Sequence, residues 1–278
     1  MPLKDVTFVI TGSARGIGAA TAAMAASRGA NVVVSDVIDD VGEATVARIV
    51  ADGGRAIYAH CDVTSQADVD ALMAAAVSAF GGIDVLHNNA GIHETMISND
   101  FTFESMSVET FDRVMNVNVR GAFICTKAAL PFLKQSKRSP SVINAGSTAS
   151  WVGYPYGLAY GTSKGAISLF TKNLAVALAP FGIRANCYCP ASVDTDMVKD
   201  VMATLAASMP AADGAEGGAE GGGSPIDTHL VHRIGESDDV AELVCFLASR
   251  QSSFVNGVTW LIDGGVLAWR DSVASIGM

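Results

Sequence analysis

The chain has 278 residues and a net charge of −10; half its residues are hydrophobic and 17% are charged. That length suits one large α/β domain and is short for two, while the acid excess argues against nucleic acid, which asks for a basic footprint. No run of about 18 apolar residues exists to span a membrane.

In chain order, residues 6–10 are apolar and rich in β-formers, which predicts a first strand, and Thr11-Gly-Ser-Ala-Arg-Gly-Ile-Gly18 follows at once. An Ala-rich stretch over 19–28 predicts a helix, and a β-branched run over 31–35 predicts a second strand that ends in Asp36. Strand, glycine loop, helix, strand and acid is an order suited to a dinucleotide. Gly12, Gly16 and Gly18 let the backbone turn tightly and approach a pyrophosphate, and the helix N-terminus offers free N–H groups and a positive dipole end. Asp36 has about the separation expected for the acid that accepts from an adenosine ribose. Further helices are predicted over 39–51, 66–80, 111–134, 159–179, 197–209 and 238–247, and further strands over 55–60, 83–87, 140–145, 182–189 and 258–262.

Repeated βα units with near-continuous apolar strands imply a mainly parallel sheet covered on both faces, consistent with the low charged fraction. The fold class is α/β: one doubly wound, Rossmann-type domain over 1–278 with seven strands and helices on both faces, its ligand at the carboxyl ends where strand order reverses. Residues 211–224 are almost wholly Gly, Ala and Glu. They predict a flexible loop on the substrate side, spanning 203–224, that is either a tolerated insertion or a lid hinge. Residues 1–5 lead straight into the first strand, so no signal peptide is expected. Cys61, Cys125, Cys187, Cys189 and Cys245 are scattered without paired zinc spacing. They fit a reducing, cytoplasmic compartment and no metal site. Cys187 and Cys189, two apart in a strand, share a face.

Tyr160 and Lys164 are four apart, so on a helix their side chains are neighbours. A phenol titrates near ~10, and a cation within a few ångströms favours the phenolate, so the pair is a device for moving a proton. Ser147 lies in the turn after the fifth predicted strand, and Asn118 lies in the helix predicted over 111–134.

The ordered set Thr11-Gly-x-x-x-Gly-Ile-Gly18, Asp62, Asn88-Asn-Ala-Gly91, Asn118, Ser147, Tyr160-x-x-x-Lys164, Pro190, Thr195 and Asp263-Gly-Gly265 resembles the short-chain dehydrogenase/reductase family over essentially the whole chain. The resemblance implies an alcohol dehydrogenase or ketone reductase. Tyr160 is then the acid/base, Ser147 positions the substrate oxygen, Lys164 lowers the tyrosine pKa and binds the nicotinamide ribose, and Asn118 holds a water leading to Lys164. It implies cofactor contacts from Gly12, Arg15, Gly16, Ile17 and Gly18, from Asp36 and Val37, and from Asp62 and Val63 at the adenine. Asn89, Ala90 and Gly91 would close over the adenosine side, and Pro190, Val193 and Thr195 would wrap the nicotinamide end with Tyr160 and Lys164. Asn116 is expected to be structural. Ala191 and Gly146 depart from the usual Gly and Ser, without touching the reacting groups. Asp36, with no basic residue directly after it, selects NAD over NADP, although Arg15 is also seen in phosphate-accepting relatives.

His93, Met96, Trp151, Tyr154, Tyr156 and Met197 flank these motifs and suggest a hydrophobic secondary alcohol or ketone. The family also implies a homotetramer, with residues 266–278 at a subunit contact. Two competing functions are an NADP-dependent 3-oxoacyl thioester reductase, disfavoured by Asp36 and the net charge, and a dinucleotide sensor without turnover, disfavoured by the intact tetrad.

Overall fold

Thr7–Thr11 (β1) and Asn31–Asp36 (β2) are buried along their length up to Asp36, and between them Gly16–Ser27 (α1) lays Ala22, Ala25 and Ala26 on the sheet. The computed structural model describes residues 3–154, 156–208 and 229–269. The pattern then repeats as Asp39–Ala51 (α2), Arg55–His60 (β3), Gln66–Phe80 (α3) and Val85–Asn88 (β4). Val108–Met115 (α4) runs through a π-helical segment, Asn116–Gly121, into Ala122–Leu133 (α5). Ser141–Ala145 (β5), Leu158–Leu178 (α6), Arg184–Pro190 (β6), Asp196–Ser208 (α7), Ser237–Ala248 (α8) and Thr259–Ile262 (β7) complete the order.

All seven strands are parallel, in the order β3-β2-β1-β4-β5-β6-β7. Because strand side chains alternate between faces, Phe8, Ile10, Val32 and Val34 meet α1 and α8 on one side. Val9, Val33, Leu86 and Val142 meet α3, α5 and α6 on the other. The order of strand addition reverses between β1 and β4, which opens a crevice at their carboxyl ends.

The expected boundaries shift where side chains intervene. The fourth strand begins at Val85 rather than Ile83, because the Asp84 carboxylate accepts from Thr7 N at 2.8 Å and takes the place of a ladder bond. The long helix starts at Val108, three residues before its predicted start, because Ser107 caps it by accepting from Thr110 N. Its middle is π-helical, which no residue pattern announced. Of the loop expected over 203–224, residues 203–208 are the last turns of α7; the remainder lies outside the described residues, as does most of 266–278. The two strand thiols do share a face, with Cys187 and Cys189 Sγ 4.0 Å apart.

Candidate active site

The loop after β1 depends on glycine at two points. Gly12 has φ +62°, and a Cβ there would fall 2.6 Å from Ala90 Cα; at Gly18 it would fall 2.5 Å from Gly12 O. The β1 and β4 loops therefore touch backbone to backbone. Asn89 fixes them by donating its amide to Thr11 O at 3.1 Å and Gly12 O at 2.6 Å. Helix α1 follows with Arg15 as its N-cap and no side-chain cap bond. Its first N–H groups and positive dipole end are left to an anion.

These loops wall a cleft of about 740 Å³ at the carboxyl edge of the sheet. Gly12, Arg15, Gly16 and Ile17 line it from the β1 loop, Asp36 and Val37 from β2, and Asp62 and Val63 from β3. Asn89, Ala90 and Gly91 come from β4, Tyr160 and Lys164 from α6, and Pro190 and Thr195 from β6. Two expected contacts do not line it. Gly18 is buried against the turn it permits, and Val193 packs into the α1-side core, bridged to Gly235. Asn116, expected to be structural, is exposed and lines the cleft.

Asp36 is held as an acceptor: Oδ2 takes Ala14 N at 3.0 Å, and Oδ1 takes Val37 N at 2.8 Å and Ile38 N at 3.3 Å. Arg15 is paired with Asp196 at 3.3 Å. A glycine cradle, an open helix terminus and a fixed acid fit a nicotinamide dinucleotide.

The four candidate catalytic residues come together from three elements. The π segment carries Asn118 inward to clamp Ile92: its Nδ2 donates to Ile92 O at 3.0 Å and to Ser163 Oγ at 2.9 Å, while Oδ1 accepts from Ile92 N at 2.8 Å. Both ends of the side-chain amide are thus engaged by protein and hold the β4 loop. A Cβ at Gly91 would lie 3.3 Å from Asn118 Oδ1 and 3.4 Å from Lys164 Nζ, so glycine there lets both approach. Ser147 Oγ accepts from Ala149 N and is hydrogen-bonded to the Tyr160 phenol.

Burial pushes the Tyr160 phenol up to about 12; the Ser147 bond opposes this, while Cys189, Glu94 and Tyr154 add to it. Burial pushes Lys164 down to about 8. The phenol therefore lies above its ordinary value in this structure because burial outweighs the Ser147 bond, and Lys164 is not among the groups that shift it. Lys164 Nζ sits 5.3 Å from the Tyr160 ring centroid and donates to Ala145 O at 2.8 Å, so the backbone engages the ammonium while the phenol loses its water.

Of the residues suggested for the substrate, Met96 and Met197 line the cleft, and the His93 ring lies against Tyr160 with centroids 4.9 Å apart. Tyr154 OH meets Thr148 Oγ1 at 2.9 Å, Tyr156 sits at φ +58° edge-on to Phe101, and Trp151 is half exposed. Sequence reasoning missed Glu94, whose fully buried carboxylate accepts from Ala159 N and Tyr160 N. Its partners are some 65 residues away, so no local pattern marks it. It also missed Tyr188, buried beneath the cleft, which donates to Asn89 Oδ1 at 3.2 Å.

Residues 12–267 match the family model described as enoyl-(acyl carrier protein) reductase. The chain is 37% identical to momilactone A synthase of Oryza sativa subsp. japonica, covering 93% of this chain and 88% of that protein. It is 34% identical to 2,5-dichloro-2,5-cyclohexadiene-1,4-diol dehydrogenase of Sphingobium indicum, over 96% and 98% of the two chains. Among solved structures, a short-chain dehydrogenase/reductase (glucose/ribitol dehydrogenase) of Brucella melitensis superposes with TM-score 0.81 at 29% identity, over 96% and 99%.

Proposed function

The chain belongs to the short-chain dehydrogenase/reductase family of oxidoreductases, and on that premise we propose that it is an NAD-dependent dehydrogenase of a hydrophobic, cyclic secondary alcohol. The observation that carries this reading is the meeting of Tyr160 and Lys164 at one cleft with the glycine turn and Asp36, with Ser147 bonded to the Tyr160 phenol. The ring alcohol in the name of the Sphingobium relative and the methionines at the cleft support the substrate class.

A bound nicotinamide dinucleotide supplies the hydride acceptor for oxidation and the donor for reduction. Tyr160 Oη takes the carbinol proton in oxidation and returns it in reduction, general acid–base work of roughly 10²–10⁴ in rate. Ser147 Oγ–H donates to the substrate oxygen as charge develops there. Lys164, with its proton affinity lowered to about 8, exchanges protons near neutral pH and would also hold the nicotinamide ribose. Asn118 keeps the β4 loop fixed against both.

Asp36 supports NAD because a pinned carboxylate accepts from ribose hydroxyls and repels a 2′-phosphate. The same argument disfavours an NADP-dependent thioester reductase. Exposed Phe123, Leu169 and Val176 on α5 and α6 support a homotetramer, and five free, buried cysteines support a cytoplasmic setting. The test is turnover of cyclic secondary alcohols followed at 340 nm with NAD and with NADP, for the native protein and Asp36→Ala. Loss of hydrogen bonds to a charged group, about 1.5–3 kcal/mol, should lower kcat/KM for NAD roughly tenfold or more and narrow the preference. An unchanged NAD:NADP ratio would reject the assignment.

A further inference from the structure

Helix α6, which carries Tyr160 and Lys164, starts without a cap of its own. Gly157 precedes it and has no side chain, so the first N–H groups of the helix need acceptors from elsewhere. Glu94 supplies them from the short turn Glu94–Met96 after β4: Oε1 accepts from Ala159 N and Oε2 from Tyr160 N, each at 3.0 Å. The residue is 0% exposed. A carboxylate so buried is costly unless its oxygens are bonded and its charge is opposed. Here two N–H groups and the positive end of a 21-residue helix oppose it.

The same turn is tied down twice more. Asn118 clamps Ile92 at both backbone atoms, and the His93 ring, with Nδ1 3.7 Å from Glu94 Oε2, lies against Tyr160. Glu94 thus joins the β4 loop, which lines the cleft, to the backbone of the residue that moves the proton.

We propose that Glu94 is a positioning residue for Tyr160, its carboxylate fixing the first turn of α6 against the β4 loop and placing a negative charge beside the phenol. The proposal rests on Tyr160 being the acid/base. The groups facing the phenol are Ser147, which favours the phenolate, and Glu94, Cys189 and Tyr154, which oppose it, with His93 and Lys164 alongside. Removing the Glu94 charge and baring the helix terminus both favour the phenolate. The two losses therefore act in the same direction on the proton, whereas the loss of the cap alone disorders the turn.

The experiment uses Glu94→Gln, Glu94→Asp, and Glu94→Gln with Gly157→Ser. The serine returns a local cap oxygen without the charge, and a Cβ at 157 would make only ordinary contacts, 3.6 Å from Tyr154 Cβ and 3.8 Å from His93 Nε2. Tyrosine ring carbons are labelled with 13C, and the Tyr160 signal is identified by its loss in Tyr160→Phe. At pH 10.5 the Tyr160 phenolate fraction should rise several-fold in Glu94→Gln and in the double variant, a shift of roughly one pH unit. It should stay near native in Glu94→Asp. With cyclohexanol and NAD, the rising limb of the oxidative kcat/KM profile should move down by the same amount, and its plateau should fall about tenfold in Glu94→Gln. The serine should recover the plateau but not the limb.

A phenolate fraction in the double variant equal to native would overturn the proposal, leaving Glu94 a structural cap. If Glu94→Gln does not fold, the double variant alone decides. Native turnover by Tyr160→Phe would instead defeat the assignment of Tyr160 as acid/base, whatever the NMR titration of the Glu94 variants gives.

Discussion

His87 lies fully buried beneath the cleft with its Nε2 2.9 Å from the Tyr188 hydroxyl. Since that hydroxyl donates to Asn89, His87 must donate from Nε2, and its Nδ1 is left without a hydrogen bond among the described residues. Burial pushes the imidazole down to about 3, against about 6.5 in an unfolded chain. The folded form therefore binds fewer protons between those values. The stability this neutral histidine permits is fully present above pH ~6.5 and declines as pH falls toward 3, at up to ~1.4 kcal/mol per pH unit. Urea unfolding at pH 7, 5.5 and 4.5 should show this slope, and His87→Gln, which keeps an N–H donor, should flatten it; an unchanged slope would place the acid sensitivity elsewhere. Single residues such as Tyr160, Lys164 and Ser147 were recognisable from type and separation. Glu94 and His87 were not, because what makes them matter is enclosure by segments distant in sequence.

At the scale of elements, the π segment Asn116–Gly121 is the unusual piece. It holds one residue more than α-helical spacing would place there, and such bulges concentrate at functional sites. Here it turns Asn118 inward and Asn116 toward the cleft. Deleting Val117 should let α4 and α5 join as one regular helix with both flanks in register, removing the wide turn that points Asn118 inward. The expected result is a folded protein by circular dichroism whose kcat/KM falls at least about tenfold as the clamp on Ile92 is lost. Native activity would mean the clamp is dispensable. Helix and strand identities followed from periodicity and turn residues, as in α2, β3 and α3, whose predicted limits coincide with those observed. The bulge did not, since apolar spacing over 111–134 reads the same whether one turn is α or π.

For the molecule as a whole, the division of labour follows the sheet. The cores on its two faces carry stability, and the carboxyl edge carries chemistry. Leu72 on α3 is 0% exposed in the core formed with β1, β2, α5 and α6. Leu72→Ala should cost about 2–5 kcal/mol in urea unfolding while leaving kcat within about twofold well below the melting transition. A large kcat loss there would mean the cleft depends on that core. The sequence by itself determined the class of fold, the glycine turn, the acid at the end of β2 and the tyrosine–lysine pair, because each is written in short-range patterns of side-chain type. Only the tertiary structure decided which groups are dried out, which carboxylate caps which helix and which way the Tyr160 proton is biased. Those depend on desolvation and on contacts between loops 65 or more residues apart, and neither exists until the sheet has brought its strand ends together.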